Sequence, residues 1–147
     1  MTITPLSSSD HMWTSVQTYA SNCSWRAGSS LAQRMERNEF TDWERVFVVL
    51  DDENICGFCT VSKTDCIQDL PYTPYIGYLF IDEEYRGKRL SEKLIHHAMN
   101  YLKSVGFHEV YLISDHVNLY EKYGFHLIDQ KMAPWGEVEK IYMQRID

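Results

Sequence analysis

No stretch of this 147-residue chain is apolar for long enough to span a bilayer, which argues against a helical membrane protein. Basic residues are scarce: 14 Lys and Arg stand against 21 Asp and Glu, giving a net charge of −7. Binding along a phosphodiester backbone needs a broad surplus of cations, so no nucleic-acid partner is expected. An acidic surface would instead tolerate cationic small molecules. The N-terminus, Met-Thr-Ile-Thr-Pro-Leu-Ser, lacks both the basic start and the apolar core of a signal peptide, which predicts a cytoplasmic protein. Proline and glycine are also few, at 4 and 7, and neither gathers into a linker. With no repeat or low-complexity segment, the chain reads as one domain over residues 1–147.

Only four cysteines occur. Cys56-Gly-Phe-Cys59 has the spacing of redox and zinc motifs, but it lies in a segment that reads as a strand, where residues three apart face opposite ways. A structural zinc would need two further ligands at suitable spacing, so reduced thiols and no metal are expected. His96 and His97 are adjacent on a helix and point apart, as surface or packing residues do.

What is present is an ordinary globular balance, 44% apolar and 24% charged, arranged in clear periods. A short extended segment lies near Ile3. Ser9-Asp10 reads as a cap before Trp13, Val16 and Ala20 at helical spacing, and a second helix is predicted over Ser29 to Phe40. Strands follow at Val46 to Leu50 and Ile55 to Val61, joined by Asp51-Asp-Glu-Asn54 as an antiparallel hairpin. Ile76 to Ile81 is a nearly continuous apolar run, as in a strand buried on both faces. Leu90, Leu94, Ala98 and Leu102, widened by Ile95 and Met99, form a helical stripe that stops at Gly106. Val110 to Ser114 returns to strand character, so strand, helix and strand make a parallel crossover. A short helix through Leu119 to Tyr123 ends at Gly124, and Phe125 to Asp129 and Ile141 to Ile146 are the last strands. The order is β-α-α-β-β-β-α-β-α-β-β.

Two motifs in this order carry chemistry. In Arg86-Gly-Lys-Arg-Leu-Ser91 a strand ends, the chain turns, and the free amides and macrodipole of a helix N-terminus favour an anion such as pyrophosphate. Arg86, Lys88, Arg89 and Lys93 concentrate positive charge there. Asp82, Glu83, Glu84 and Glu92 interleave with them, so a solvated, salt-bridged helix start is the competing explanation. The second motif is Leu119-Tyr-Glu-Lys-Tyr-Gly-Phe125, which alone could be an aromatic helix face with a glycine stop.

Together with the element order, these motifs resemble the GNAT superfamily of N-acetyltransferases over nearly the whole chain. The resemblance implies an α/β (α+β) fold with a mixed, mostly antiparallel sheet around a parallel β4/β5 pair. It also implies acetyl transfer from acetyl-CoA to an amine of a small molecule or protein. Arg89 and Ser91 stand where the family's turn usually has Gly and Gly/Ala. By the resemblance, Arg86, Gly87, Lys88, Arg89, Leu90 and Ser91 contact the cosubstrate's phosphates, and Leu79, Phe80 and Ile81 its pantetheine arm. Lys122 and Asn118 are assigned further contacts, and Tyr120 the role of general acid toward the departing sulfur. The family's usual base on the strand before the turn is missing, since Pro74 to Phe80 contains no Asp, Glu or His. Asp115, His116 or a water chain is expected to replace it. The acceptor is expected near the loop between the first two helices and the loop before β4, at Trp25, Arg26, Tyr72 and Tyr75, with Asp65 and Asp69 close by. A non-catalytic acyl-CoA sensor is the alternative function, and a monomer or homodimer is expected.

Overall fold

The computed structural model describes residues 1–116 and 118–147. In chain order the elements are β1 (Thr2–Leu6), α1 (Trp13–Asn22), α2 (Ala27–Glu36), β2 (Arg45–Asp51), β3 (Asn54–Ser62), β4 (Tyr75–Ile81), α3 (Leu90–Val105), β5 (Glu109–Ser114), β6 (His126–Met132) and β7 (Val138–Arg145). Short 3₁₀ turns at Glu83–Tyr85 and Tyr120–Tyr123 follow β4 and β5. The seven strands form one sheet in the order β1-β2-β3-β4-β5-β7-β6. Only β4 and β5 run parallel; the other neighbours are antiparallel. This is the mixed sheet with a central parallel pair that the family resemblance implies. No helix among the described residues is long and apolar enough to cross a membrane.

Strand periodicity explains why both faces are covered. In β2, Phe47 and Val49 point to the core under α3, while Val46 and Val48 point to the core under α1 and α2. α3 supplies Leu90, Leu94, Ile95, Ala98, Met99 and Leu102 to its side. Each large aliphatic buried there contributes roughly 1.5–3 kcal/mol. On the other face, α1 brings Trp13, Val16 and Ala20, and α2 brings Leu31, Ala32 and Met35.

Several boundaries differ from expectation for identifiable reasons. The second helix runs Ala27–Glu36 rather than Ser29 to Phe40. Asn38, at φ 54°, reverses the chain, and Phe40 reaches the core from the following loop, edge-on to Trp13 at 5.9 Å. Asp10 does not cap α1; its carboxylate accepts from the amide of Ser7 at 2.8 Å and so closes the preceding turn. The expected helix after Leu119 is a single 3₁₀ turn. The last hairpin is longer than predicted, because β6 is an edge strand whose mostly exposed side chains leave little hydrophobic pattern to read. Cys56 and Cys59 share the face under α3 instead of opposing each other: Leu50 pairs with Ile55 and Val49 with Gly57, so Cys56 is an extra residue in β3. Both are buried free thiols.

Candidate active site

The site begins where the sheet comes apart. β4 and β5 are in register only at Tyr75 and Tyr111, joined by the Tyr111 amide donating to the Pro74 carbonyl at 2.9 Å. Beyond that point β4 is bulged against β3, with a register shift opposite Phe58 to Thr60 and Tyr78 in the left-handed region at φ 47°. Leu79, Phe80 and Ile81 therefore border a groove of about 370 Å³ that also includes Arg86, Gly87, Arg89, Leu90, Ser91 and Tyr120.

The turn after β4 is stiffened before it reaches α3. Asp82 accepts from the Glu84 amide at 3.2 Å and from the Tyr19 hydroxyl at 2.8 Å. Arg86 Nε–H donates to the Ile81 carbonyl at 2.9 Å, and its guanidinium lies 5.7 Å over the Phe80 ring. Gly87 takes φ 83°, and a Cβ placed there would meet nothing within 4 Å, so the turn is open on that side. Arg89, at φ 60°, is the residue from which α3 starts. The Lys93 amide bonds back to the Arg89 carbonyl at 3.2 Å, leaving the amides of Leu90, Ser91 and Glu92 as the leading donors of the helix. Among the described residues, no salt bridge uses Arg86, Lys88, Arg89 or Lys93. The interleaved acids do not neutralise them by direct pairing. Free amides, unpaired cations and open space fit an oligophosphate.

Tyr120 stands at the head of its 3₁₀ turn, buried and edge-on to His116 and Phe125 at 6.3 Å each. Burial pushes its phenol up to about 12, against the neighbouring Ser114 hydroxyl, which lowers it, so the hydroxyl stays protonated at neutral pH. Its turn is tied to α3 by the hydrogen bond between Ser91 Oγ and the Tyr123 hydroxyl, 3.0 Å. Tyr142 holds the chain entering it, donating to the His116 carbonyl at 3.0 Å.

On the far side of Tyr120 lies a second, larger cavity of about 690 Å³. Trp25, Ser30 and Arg34 close it from the helical side, and Asp65, Cys66 and Gln68 from the segment between β3 and β4. Gly77, Tyr78 and Leu79 of β4, Leu112 to His116 of β5 and its exit, and Glu139 of β7 complete it. Trp25, Leu79, His116 and Tyr120 border both cavities, so the two spaces meet there. Trp25 is held over Phe80 with rings parallel to within 3° at 5.9 Å. The larger cavity is acidic. Carboxylate oxygens of Asp115, Glu137 and Glu139 lie within 4.8 Å of one another, and burial together with these neighbours raises the Glu139 carboxyl above its ordinary range. Burial also raises Asp65, to about 6, against the Cys66 amide and Arg34, which lower it. Arg34 is partly engaged with Glu39 at 3.4 Å.

The predicted residues divide accordingly. Leu79, Phe80, Ile81, Arg86, Gly87, Arg89, Leu90, Ser91 and Tyr120 come together around the smaller groove, with Lys88 beside it, 5.4 Å over the Tyr85 ring. Trp25, Asp115 and His116 line the larger cavity. Arg26, Tyr72, Tyr75, Asn118 and Lys122 line neither. Tyr72 is directed to Asp129, 2.8 Å away, and stacks on Tyr111 at 4.9 Å, while Tyr75 is buried beside that pair. Arg34, Tyr78, Ser114 and Glu139 were not legible as site residues. Arg34 and Glu139 look like solvated charges on a helix and a strand, and Tyr78 looks like one more apolar-run residue until its positive φ is seen.

No curated protein sequence matches the chain. Similar solved structures share its fold at low identity. They include the aminoglycoside 6'-N-acetyltransferase from Enterococcus faecium (TM-score 0.76, 15% identity, 100% of this chain and 98% of that one). Another is a GNAT family N-acetyltransferase from Escherichia coli in complex with CoA (TM-score 0.74, 22% identity, 99% and 81%). A third is the spermidine N-acetyltransferase from Vibrio cholerae, as an N152L mutant (TM-score 0.67, 19% identity, 99% and 93%). The profile of the acetyltransferase (GNAT) family matches residues 13–125, from the start of α1 to the end of the Tyr120 motif. With the split β4/β5 pair and the turn into α3 in place, the chain belongs to the GNAT family of acetyl-CoA-dependent acetyltransferases.

Proposed function

We propose that this protein transfers the acetyl group of acetyl-CoA to a primary amine of a cationic acceptor, with Tyr120 as the acid at the sulfur. The observation that carries this reading is the meeting of two cavities at Tyr120, one lined by Arg86, Gly87, Arg89 and Ser91 at the start of α3 and one lined by acids. Acetyl-CoA would supply an acetyl group already activated as a thioester. The amides at the start of α3, with Arg86, Gly87, Lys88, Arg89, Leu90 and Ser91, would hold its phosphates. Leu79, Phe80 and Ile81 would carry the pantetheine arm. Asn118 and Lys122 are exposed beyond the groove, so contacts from them would fall outside it. The Tyr120 hydroxyl, still protonated far above neutrality, would donate to the sulfur as negative charge builds there.

The acceptor class follows from charge. Asp65, Asp115 and Glu139 outweigh Arg34 around the larger cavity, and the Trp25 and Tyr78 rings add faces that attract cations. His116 borders both spaces and Asp115 the larger one. Two of the similar structures are named for an aminoglycoside and for spermidine, which supports a polycationic acceptor.

Thiol release from acetyl-CoA should depend on an added amine when kanamycin, spermidine, lysine methyl ester and a peptide with a free N-terminus are tried in turn. Polycations should outperform the peptide. Undiminished CoA binding with no amine-dependent thiol release would favour an acyl-CoA sensor instead.

A further inference from the structure

We propose that Asp65, delivered from the segment between β3 and β4, is the group that takes the proton from the acceptor amine, in the space that a side chain on Gly77 would fill. The inference rests on the acetyl-transfer reading and identifies a working residue within it.

The strand β4 carries no acid or imidazole from Pro74 to Phe80. At Gly77 it carries no side chain at all, and the neighbouring segment uses the room. Asp65 Oδ2 lies 3.4 Å, and its Cγ 3.6 Å, from where a Cβ on Gly77 would sit. A carboxylate thus faces the cavity from the position of a β4 side chain, without belonging to β4. Its orientation is set on one side only: Oδ1 accepts from the Cys66 amide at 2.8 Å, while among the described residues Oδ2 has no donor. Asp65 lines the same cavity as Leu79 and Tyr120.

Titratable groups approach Asp65 from several elements. Arg34 faces it from α2, the Tyr75 phenol from β4 and the Cys66 thiol from its own segment, with Glu139 close to that thiol from β7. Desolvation outweighs Arg34 and places the carboxyl at about 6. It is therefore ionised at neutral pH yet more basic than an exposed aspartate. Asp115 and His116 are solvent-exposed, and Asp115 clusters with Glu137 and Glu139, an arrangement suited to attracting cations.

The proton balance is simple. An N–H bond of the bound ammonium breaks and an O–H bond forms on Asp65. The freed nitrogen forms the new C–N bond to the acetyl carbon as the C–S bond breaks, and its second proton ends on the sulfur by way of the Tyr120 hydroxyl. Asp65 then returns its proton to solvent.

The test compares wild type, D65N, D65A and D65A/G77E, using acetyl-CoA and the most active amine among kanamycin, spermidine and lysine methyl ester. For D65N, kcat/KM at pH 7.5 should fall about 100-fold, and the acid limb that wild type should show near pH 6 should disappear. Calorimetric CoA affinity should be unchanged. The melting temperature at pH 8 should rise, because a charge is removed from a desolvating site. D65A/G77E should recover at least about tenfold over D65A, since a glutamate on β4 returns a carboxylate to the same space. The inference is overturned by D65N activity within threefold of wild type with the acid limb intact, by a parallel loss of CoA affinity, or by a lower melting temperature for D65N. Wild type that releases no thiol with any amine would remove the acetyl-transfer reading, and this inference with it.

Discussion

Ser91 and Tyr123 join the two motifs of the site: their hydroxyl oxygens are 3.0 Å apart, linking the first turn of α3 to the turn that carries Tyr120. Ser91 is one of the two positions at which the turn into α3 departs from the family's usual glycine-rich pattern. The departure has a structural use, because an alanine or glycine there could not make this bond. S91A and Y123F should each cost about 1 kcal/mol of stability in urea unfolding. The double variant should cost no more than about 1.5 kcal/mol, since both changes delete one interaction. Fully additive losses would show that the two hydroxyls are not coupled.

Arg89 is the other departure, and it sits at φ 60° where glycine would be unstrained. A left-handed conformation costs a residue with a Cβ roughly 1–2 kcal/mol. R89G should therefore stabilise the fold by about 1 kcal/mol while weakening CoA binding, and the salt dependence of binding should become shallower. Equal CoA affinity in R89G and wild type, measured by calorimetry at low salt, would show that the guanidinium does not serve the phosphates.

Much of this site can be read from the sequence, and the parts that cannot share a cause. The stripe from Leu90 to Leu102 identifies α3 because its apolar residues repeat within one helix, and the Tyr120 motif follows at a fixed distance along the chain. The relation of Asp65 to Gly77 depends on how the segment after β3 folds back over β4, which no local pattern encodes. Tyr78 is a similar case: an aromatic in an apolar run predicts an ordinary strand, and only the register shift against β3 shows the bulge that opens the groove. Arg34 and Glu139 become site residues only when α2 and β7 are brought to one cavity.

Asp65 should leave a mark on stability as well as on rate. Its folded pKa is raised from 3.8 to about 6, so the folded state binds the proton more tightly than the unfolded chain. The stabilisation is fully present below about pH 4, and is lost as pH rises through about 6. A shift of this size corresponds to about 3 kcal/mol. D65N should thus gain stability over wild type progressively between those limits and hold the gain at pH 8. Parallel stability curves for the two proteins across this range would contradict the assigned environment.

Tyr120 makes a prediction at the other end of the scale. With its phenol at about 12, kcat should show no alkaline decline from this residue below about pH 10. A decline near pH 8 that disappears in Y120F would mean that the hydroxyl ionises where burial should prevent it.

The most direct measurement is the steady-state rate of amine-dependent thiol release by wild type and Y120F, with CoA affinity determined on the same preparations. Wild type should acetylate a polycationic amine, and Y120F should lose about 100-fold or more in kcat with CoA affinity unchanged. Equal kcat in the two proteins at saturating substrates would contradict the placement of the reaction at Tyr120.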